Sequence, residues 1–479
     1  MLTECYADVV QRTNLYVKNG GSINVKEKTI HGVFEYNDKQ YPFSLDGRIL
    51  TIPQIPFQYK DDFNEVAHID TLYGVTNGNQ GIVFLGCEVL KSSTFHIPIS
   101  VSFLILGYIL LQSSDTSFDR IDFYSAAING FYTPRKAYDF ETSNDPMEIK
   151  GIKIRDREQY KKAFDCEVNG ETFELGVDVY VEINLAFEQE RLGTARSIIS
   201  MAFGDKKSPD RVLDYFLYVR DFLEFVNFRK DVPVEQIRLF GKNEDEKYER
   251  IGDAVVFQAD CSSYSPTAMK SITLDDMTPE CFPLLFQQIA EKRTKGTYNP
   301  FFYPANRRED NTVDAARWLN TAICFEGEFN AVFPDYRAKK DPLFYKAKSL
   351  LLDTISAEIE KSGKSIGNKV NSAFRSFNSL ITHADTTIKQ KFETCQITYA
   401  KETAEAITRE RNANGIPEDA DLAEAYASYR NMTAHGTIQR PETIDVVTYS
   451  VLRYFVYTMN LKKANILPER IADIIRKVF

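Results

Sequence analysis

The sequence predicts an α+β protein in which a mixed, β-rich region over residues 1–300 precedes an all-helical bundle over residues 310–479. Three observations carry this. The first part alternates short β-branched and aromatic runs with Asn-Gly pairs, as strands joined by tight turns do. The second part places apolar residues every three or four positions over long stretches, the period of amphipathic helices. Between them, residues 299–311 are rich in Asn, Pro and Arg and break both patterns.

In the β-rich part, turn signals stand at Asn19-Gly20-Gly21, Asn77-Gly78-Asn79, Asn129-Gly130 and Asn169-Gly170. The most apolar run, 97–111, is shorter than the ~20 residues that a membrane helix needs, and reads as a buried strand or core helix. From Phe173 onward, Leu175, Val177, Val179, Val181 and Ile183 share one face and Glu174, Asp178 and Glu182 the other, which predicts a half-exposed strand. After Ser208-Pro209 the spacing of Val212, Tyr215, Phe216, Val219, Phe222 and Val226 predicts a helix. Strand-like runs return within 234–275, and 277–293 reads as a helix. Residues 1–300 thus form either one region or two subdomains, 1–195 and 196–300, with a sensing or regulatory role expected.

The helical part begins with a segment over about 313–333, which holds the only tryptophan, Trp318. A second helix follows Pro342, with Phe344, Ala347, Leu351, Ile355 and Ile359 as its apolar stripe. A Ser-rich bend at 362–368 leads into a long helical stretch that ends near 412–417. Asp421 and Glu424 form an Asp version of the capping box and open a helix with Leu422, Tyr426, Tyr429 and Met432 on one face. Gly436 is placed to stop it. Pro441 and Glu442 start the last long helix, striped by Ile444, Val447, Val451, Phe455 and Met459.

Composition narrows the function classes. The 479 residues carry a formal net charge of −10, unevenly spread: residues 341–479 hold 19 Lys+Arg against 17 Asp+Glu, leaving the rest strongly acidic. A protein that bound nucleic acid by bulk charge would be far more basic, so any RNA contact must use a local patch. Seven cysteines at 5, 87, 166, 261, 281, 324 and 395 show no paired spacing, which predicts reduced thiols. MLTECYADVV has neither a basic nor an apolar leader segment, so a cytoplasmic protein is expected, with no membrane partner. No His, Cys, Asp or Glu cluster has metal-ligand spacing, and neither metal nor cofactor is expected.

Two motifs fail on context. Gly363-Lys364-Ser365 resembles the end of a phosphate loop, but Glu358 stands where the first glycine belongs. The stretch 363–367 also spells GxSxG, yet follows a helix instead of a strand. His31, His68, His96 and His383 stand alone and read as structural. Arg430 and His435 remain, in the string Tyr429-Arg430-Asn431-Met432-Thr433-Ala434-His435-Gly436. Arginine offers a permanently charged fork that matches phosphate. Histidine can take and give a proton near neutral pH. The plainer reading is a surface arginine and a histidine capping the helix carbonyls. On an ideal helix the two side chains point about 140° apart, so they converge only if the helix ends near His435 or if two chains pool their pairs.

The string Arg430-Asn431-x-x-x-His435 in a helical C-terminal domain resembles the catalytic motif of HEPN-domain ribonucleases. The layout, a long mixed region followed by this domain, resembles the ApeA-like HEPN proteins of bacterial anti-phage defence. The resemblance implies a HEPN-like bundle over 310–479 acting as a metal-independent endoribonuclease, homodimeric, with its site at the interface. His435 would move the proton of an RNA 2′-OH or of the leaving oxygen, Arg430 would hold the scissile phosphate, and Asn431 would position one of these groups. RNA is then the substrate partner and DNA, which lacks the 2′-OH, is not. A phage-derived trigger would release activity in abortive infection. The alternative is a non-catalytic dimeric sensor whose N-terminal region binds a protein or glycan. A hydrolase built on the N-terminal region has only acidic residues in its favour.

Overall fold

The computed structural model describes residues 29–55, 63, 66–90, 99–112, 115–142, 149–183, 193–259, 261, 264–265, 270–310, 312–336, 342–362, 368–382, 388–436 and 439–479. The turn signal at 19–21, Cys5, His96, His383 and the bend at 363–367 lie outside these residues. The described chain divides into two units, one within 1–298, 303–310 and 477–479, the other within 299–302 and 311–476. The β-rich part and the helical part expected from the α+β pattern are both present.

The first unit is built on fourteen strands among the described residues. They are β1 (Ile30–Tyr36), β2 (Lys39–Asp46), β3 (Ile49–Ile55), β4 (His68–Thr76), β5 (Gly81–Leu90), β6 (Ile99–Leu111), β7 (Phe118–Tyr124), β8 (Tyr138–Thr142), β9 (Ile149–Ile154), β10 (Lys162–Val168), β11 (Glu171–Ile183), β12 (Gly193–Lys207), β13 (Gln236–Lys242) and β14 (Tyr248–Val256). Twelve pair in the order β10-β11-β12-β7-β13-β14-β6-β3-β2-β1-β4-β5, and an added β5–β6 pairing closes β1 to β6 into a barrel. β6 therefore belongs to both the barrel and the open sheet. That position explains why β6 is apolar on both faces from Phe103 onward, since a strand covered on both sides has no polar side to alternate with.

The barrel core gathers Phe34, Tyr41, Phe43, Leu50, Ile52, Phe84 and Phe103. Its rings meet edge to face, as Phe43 and Phe84 do at 5.0 Å between centroids, contacts worth about 0.5–1.5 kcal/mol beyond burial. Asn169 and Gly170, both at positive φ, close the β10–β11 hairpin as their spacing predicts. Asn129-Gly130 is not a turn between strands. It lies in a short helix, α1 (Ala126–Phe131), which Ser125 caps by accepting from the Ala127 N–H at 2.9 Å. The Asn129 side chain is spent on accepting the Ser197 N–H at 2.8 Å.

β11 departs from the half-exposed strand expected of it. Glu174 is exposed, but Asp178 is buried, because Arg157, in the single turn α2 (Arg157–Tyr160), reaches it at 2.5 Å. The sheet also runs straight across residue 195, since β12 pairs with β11 and β7. α3 (Arg211–Asn227) and α4 (Cys281–Ala290) pack by aromatic contacts such as Phe203–Tyr215 and Phe222–Phe282.

The second unit contains α5 (Ala315–Val332), α6 (Pro342–Ser362), α7 (Asn368–Thr382), α8 (Ile388–Thr398), α9 (Ala400–Asn414), α10 (Leu422–Ala434), α11 (Thr443–Lys463) and all but the last two residues of α12 (Pro468–Val478). α11 is the central element, buried over most of its circumference, with α5, α9 and α10 packed on it. Trp318 is fully buried and donates its Nε1–H to the Asp445 carbonyl at 2.9 Å. Phe392 stacks on Tyr426 at 5.6 Å and meets Phe455 at 5.1 Å, tying α8 to α10 and α11.

Three expectations need correction. The stripe of α6 does not enter this core: Leu351 is 51% exposed, and α6 packs mainly on α7. The long stretch before 412–417 is three helices, with Tyr399 between α8 and α9. The final helix α12, carrying buried Ile471, Ile474 and Ile475, follows the helix read as the last long one.

Candidate active site

α10 carries the Arg-Asn-x-x-x-His string, and its two ends are fixed by local chemistry. At the start, the Asp421 carboxylate accepts the Glu424 N–H at 3.0 Å. Lys389 then bonds both Asp421 and Glu424, at 2.7 and 2.9 Å, so Glu424 serves the lysine where the capping box would have it return to the backbone. At the end, the His435 N–H returns to the Asn431 carbonyl at 3.1 Å and the Gly436 N–H to Thr433 at 3.1 Å. Gly436 has φ +85, a left-handed value that suits glycine and turns the chain out of the helix. Tyr429 donates to the Gln439 carbonyl at 2.7 Å and so ties down the chain beyond the turn.

Arg430 points at α5. Its Nε donates to Glu326 Oε1 at 2.9 Å and its Nη2 to Glu326 Oε2 at 3.2 Å, a two-point ion pair. Tyr426 also donates to Oε1, at 3.1 Å. Burial, and then the Glu326 charge, push the Tyr426 phenol far above its usual value, so it stays a donor. Among the described residues no acceptor bonds Nη1, so that edge of the guanidinium is left for another acceptor. Lys391 of α8 lies beside this pair and donates to Asn330 Oδ1 at 2.8 Å. Burial pulls its ammonium below the ordinary lysine value; Glu326 opposes that shift and Arg430 adds to it.

The structure thus gathers Arg430, Glu326, Tyr426 and Lys391, and sets Asn431 and His435 on the exposed surface at the end of the same helix. His435 is the residue that caps α10, so the helix stops where the sequence motif needs it to stop. Arg430 is half-buried against α5, and His435 is exposed just past the last helical residue. The arrangement can hold a phosphate at Arg430 and offer a solvent-facing imidazole for proton transfer.

Sequence reasoning did not find Glu326 and Lys391. Their positions lie 104 and 39 residues from Arg430 along the chain, and only packing of α5 and α8 on α10 unites them. The one available signal was Glu326 itself, a charge inside the apolar run Cys324-Phe325-Glu326-Gly327-Glu328-Phe329.

Other candidate chemistry is weaker. Among the described residues no group of His, Cys, Asp and Glu could hold a metal ion. His31 is exposed on β1, and His68 bonds Asp70 at 3.1 Å on β4. A cleft of about 670 Å³ in the first unit is lined by Asp165, Cys166, Glu167, Glu174, Tyr248 and Gln287. Burial pushes the Cys166 thiol up to about 12, so it is no nucleophile near neutral pH. Among the described residues no helix is long and apolar enough to cross a membrane. The described cysteines are free thiols.

Comparison with protein families matches residues 21–282 to the family described as ApeA N-terminal domain 1. Comparison with curated proteins and with solved structures finds no match to the chain.

Proposed function

The chain belongs to the ApeA N-terminal domain 1 family, and from that premise we propose that it is an ApeA-like anti-phage defence protein whose helical unit is a metal-independent, HEPN-type endoribonuclease. One observation carries the reading. Arg430 is held by Glu326 with a donor edge left over, on the helix that His435 caps at an exposed end.

The chemistry follows from these groups. The 2′-oxygen of a ribose attacks the adjacent phosphorus and the bond to the 5′-oxygen breaks, giving a 2′,3′-cyclic phosphate and a 5′-hydroxyl. The proton leaving the 2′-OH and the proton reaching the 5′-oxygen balance. His435 serves one of these transfers, an effect of roughly 10²–10⁴-fold. Arg430 holds the phosphate and offsets the charge that builds on its oxygens. Asn431, exposed beside Arg430, orients a phosphate oxygen or the imidazole. A homodimer would bring a second His435 and Arg430 to the same phosphodiester and so supply both acid and base. Nothing in the scheme needs a metal, and DNA lacks the attacking group. The N-terminal unit would then sense a phage-derived trigger and release the activity in infected cells.

The test is cleavage of RNA by the purified full-length protein with EDTA present, alone and in lysate of infected cells. Wild type should cut RNA and spare DNA, while Arg430→Ala and His435→Ala should not cut. Equal cleavage by wild type and His435→Ala in either condition would end the proposal. The non-catalytic sensor reading draws on exposed Leu343, Leu350 and Phe377 of α6 and α7, which offer apolar surface to a partner. Under it, both variants would leave phage protection intact.

A further inference from the structure

Glu326 and Asn330 lie four residues apart on α5, so they stand on one face of the helix about one turn from each other. Each holds a cation from a different helix. Glu326 grips Arg430 of α10 through two bonds, and Asn330 accepts from Lys391 of α8 at 2.8 Å. The helix repeat sets the Cβ atoms of these two anchors about 6 Å apart, so the two positive heads are held side by side on one face of α5. They are near enough that Arg430 and Glu326 both act on the Lys391 ammonium. Charge points the same way. Two cations share one carboxylate, and Lys391 makes its bond to a neutral amide, so the cluster carries a net positive charge that an anion would balance. The Arg430–Glu326 pair is half-buried, where charge is screened less than at an open surface, while the Lys391–Asn330 bond is exposed and open to a ligand.

We propose that Lys391 and Arg430 form a two-point clamp for adjacent phosphates of one RNA strand, with Glu326 and Asn330 as the positioning residues that fix their spacing. The proposal rests on the ribonuclease reading for the role of Arg430, and it names the substrate class. The site takes an oligoribonucleotide with a phosphate next to the scissile one, in preference to a substrate with a single phosphate. It also supplies the local cationic patch that an acidic chain needs. Lys391 is a phosphate-binding residue, distinct from the proton-transfer group His435.

Binding is read apart from cleavage by using a 2′-O-methyl tetranucleotide, which keeps the phosphates and cannot provide the attacking hydroxyl. Its affinity for the full-length protein is followed as salt is raised, for wild type, Lys391→Gln and Lys391→Arg. Loss of one single-strand phosphate contact should lower the log–log salt slope by about 0.7. Lys391→Gln should show that drop with weakened binding and an unchanged melting curve; Lys391→Arg should bind as wild type does. A slope unaltered in Lys391→Gln, or no binding by wild type, overturns the clamp. Where cleavage is seen, wild type should favour a tetranucleotide over a dinucleoside monophosphate in kcat/KM, and Lys391→Gln should lose that preference. Binding with the expected slope change but no cleavage of natural RNA, alone or in lysate of infected cells, would refute the ribonuclease reading and leave the clamp standing. Cleavage indifferent to Lys391 would do the reverse.

Discussion

Replacing Glu326 by Gln isolates what the ion pair does for Arg430. The carboxylate accepts three bonds, from Arg430 Nε at 2.9 Å, Arg430 Nη2 at 3.2 Å and Tyr426 Oη at 3.1 Å. A glutamine can keep one oxygen in place of Oε1 and so retain the Nε and Tyr426 bonds. Its amide NH₂ then faces Nη2, donor against donor. One charge-assisted bond is lost, worth about 1.5–3 kcal/mol where water is excluded. The side chains of Arg430 and Glu326 are 29% and 21% exposed, so water replaces part of the loss and the expected cost is about 1–2 kcal/mol. Trp318 reports it well, being the only tryptophan, fully buried, and 4.8 Å from the ring of Tyr429. In urea its fluorescence midpoint should fall with the slope unchanged.

Arg430→Gln should cost a similar amount, and the double variant less than the two together, because the residues touch. A wild-type midpoint for Glu326→Gln, or strict additivity in the cycle, would refute the claim that Glu326 holds the guanidinium. The same variant should slow RNA cleavage roughly 10- to 100-fold, since a freed guanidinium drifts by about an ångström. His435, exposed at the helix end, should show no such stability cost. Loss of stability therefore cannot separate structural from catalytic roles at Arg430, whereas at His435 it can.

Two further outcomes are expected. Asp421→Ala removes the cap of α10 and should cost about 1 kcal/mol at neutral pH. Lys389 first, and then the Glu424 N–H, hold the Asp421 carboxyl below its ordinary value. Its contribution is therefore full above the unfolded carboxylate range near 4 and fades as pH falls through the lower folded value. The gap between wild type and Asp421→Ala in thermal unfolding should close in acid and stay constant from pH 6 upward. Trp318→Phe strands the buried Asp445 carbonyl and should cost about 1–3 kcal/mol, read by far-UV circular dichroism in urea.

What the sequence revealed was whatever depends on neighbours along the chain. The Asn169-Gly170 turn, the helix start at Asp421 and its stop at Gly436 are decided by a few consecutive residues, and all three stand where their local chemistry puts them. Patterns failed where a distant group intervened. Asp178 looked solvent-facing on period two, but Arg157 comes back across the chain to neutralise it. Asn129-Gly130 looked like a turn, but Ser125 offers a cap and Ser197 takes up the asparagine side chain. α6 has the stripe of a core helix and yet leaves Leu350 and Leu351 largely exposed, because periodicity says which residues share a face and not what covers it. The candidate site divides the same way. Arg430, Asn431 and His435 could be read from eight consecutive residues, whereas Glu326 and Lys391 enter only through tertiary packing.

That division bears on how an acidic chain could handle RNA. Net charge counts every ionisable group equally, but many of the described groups are paired, as Lys462 is with Glu402 and Lys389 with Asp421 and Glu424. What a phosphate meets at close range is the residual charge of the few groups within a Debye length, about 8–10 Å at physiological salt. Beside Arg430 that residual charge is positive, because Glu326 is the partner of Arg430 while Lys391 is bonded to the neutral Asn330. The excess of carboxylates elsewhere repels RNA at longer range, where salt screens it. Raising salt should therefore act in opposite directions on the two parts, easing the approach while weakening the contact. Under the proposed function, weak attraction at a distance with a specific grip at short range suits an enzyme held idle until it is released.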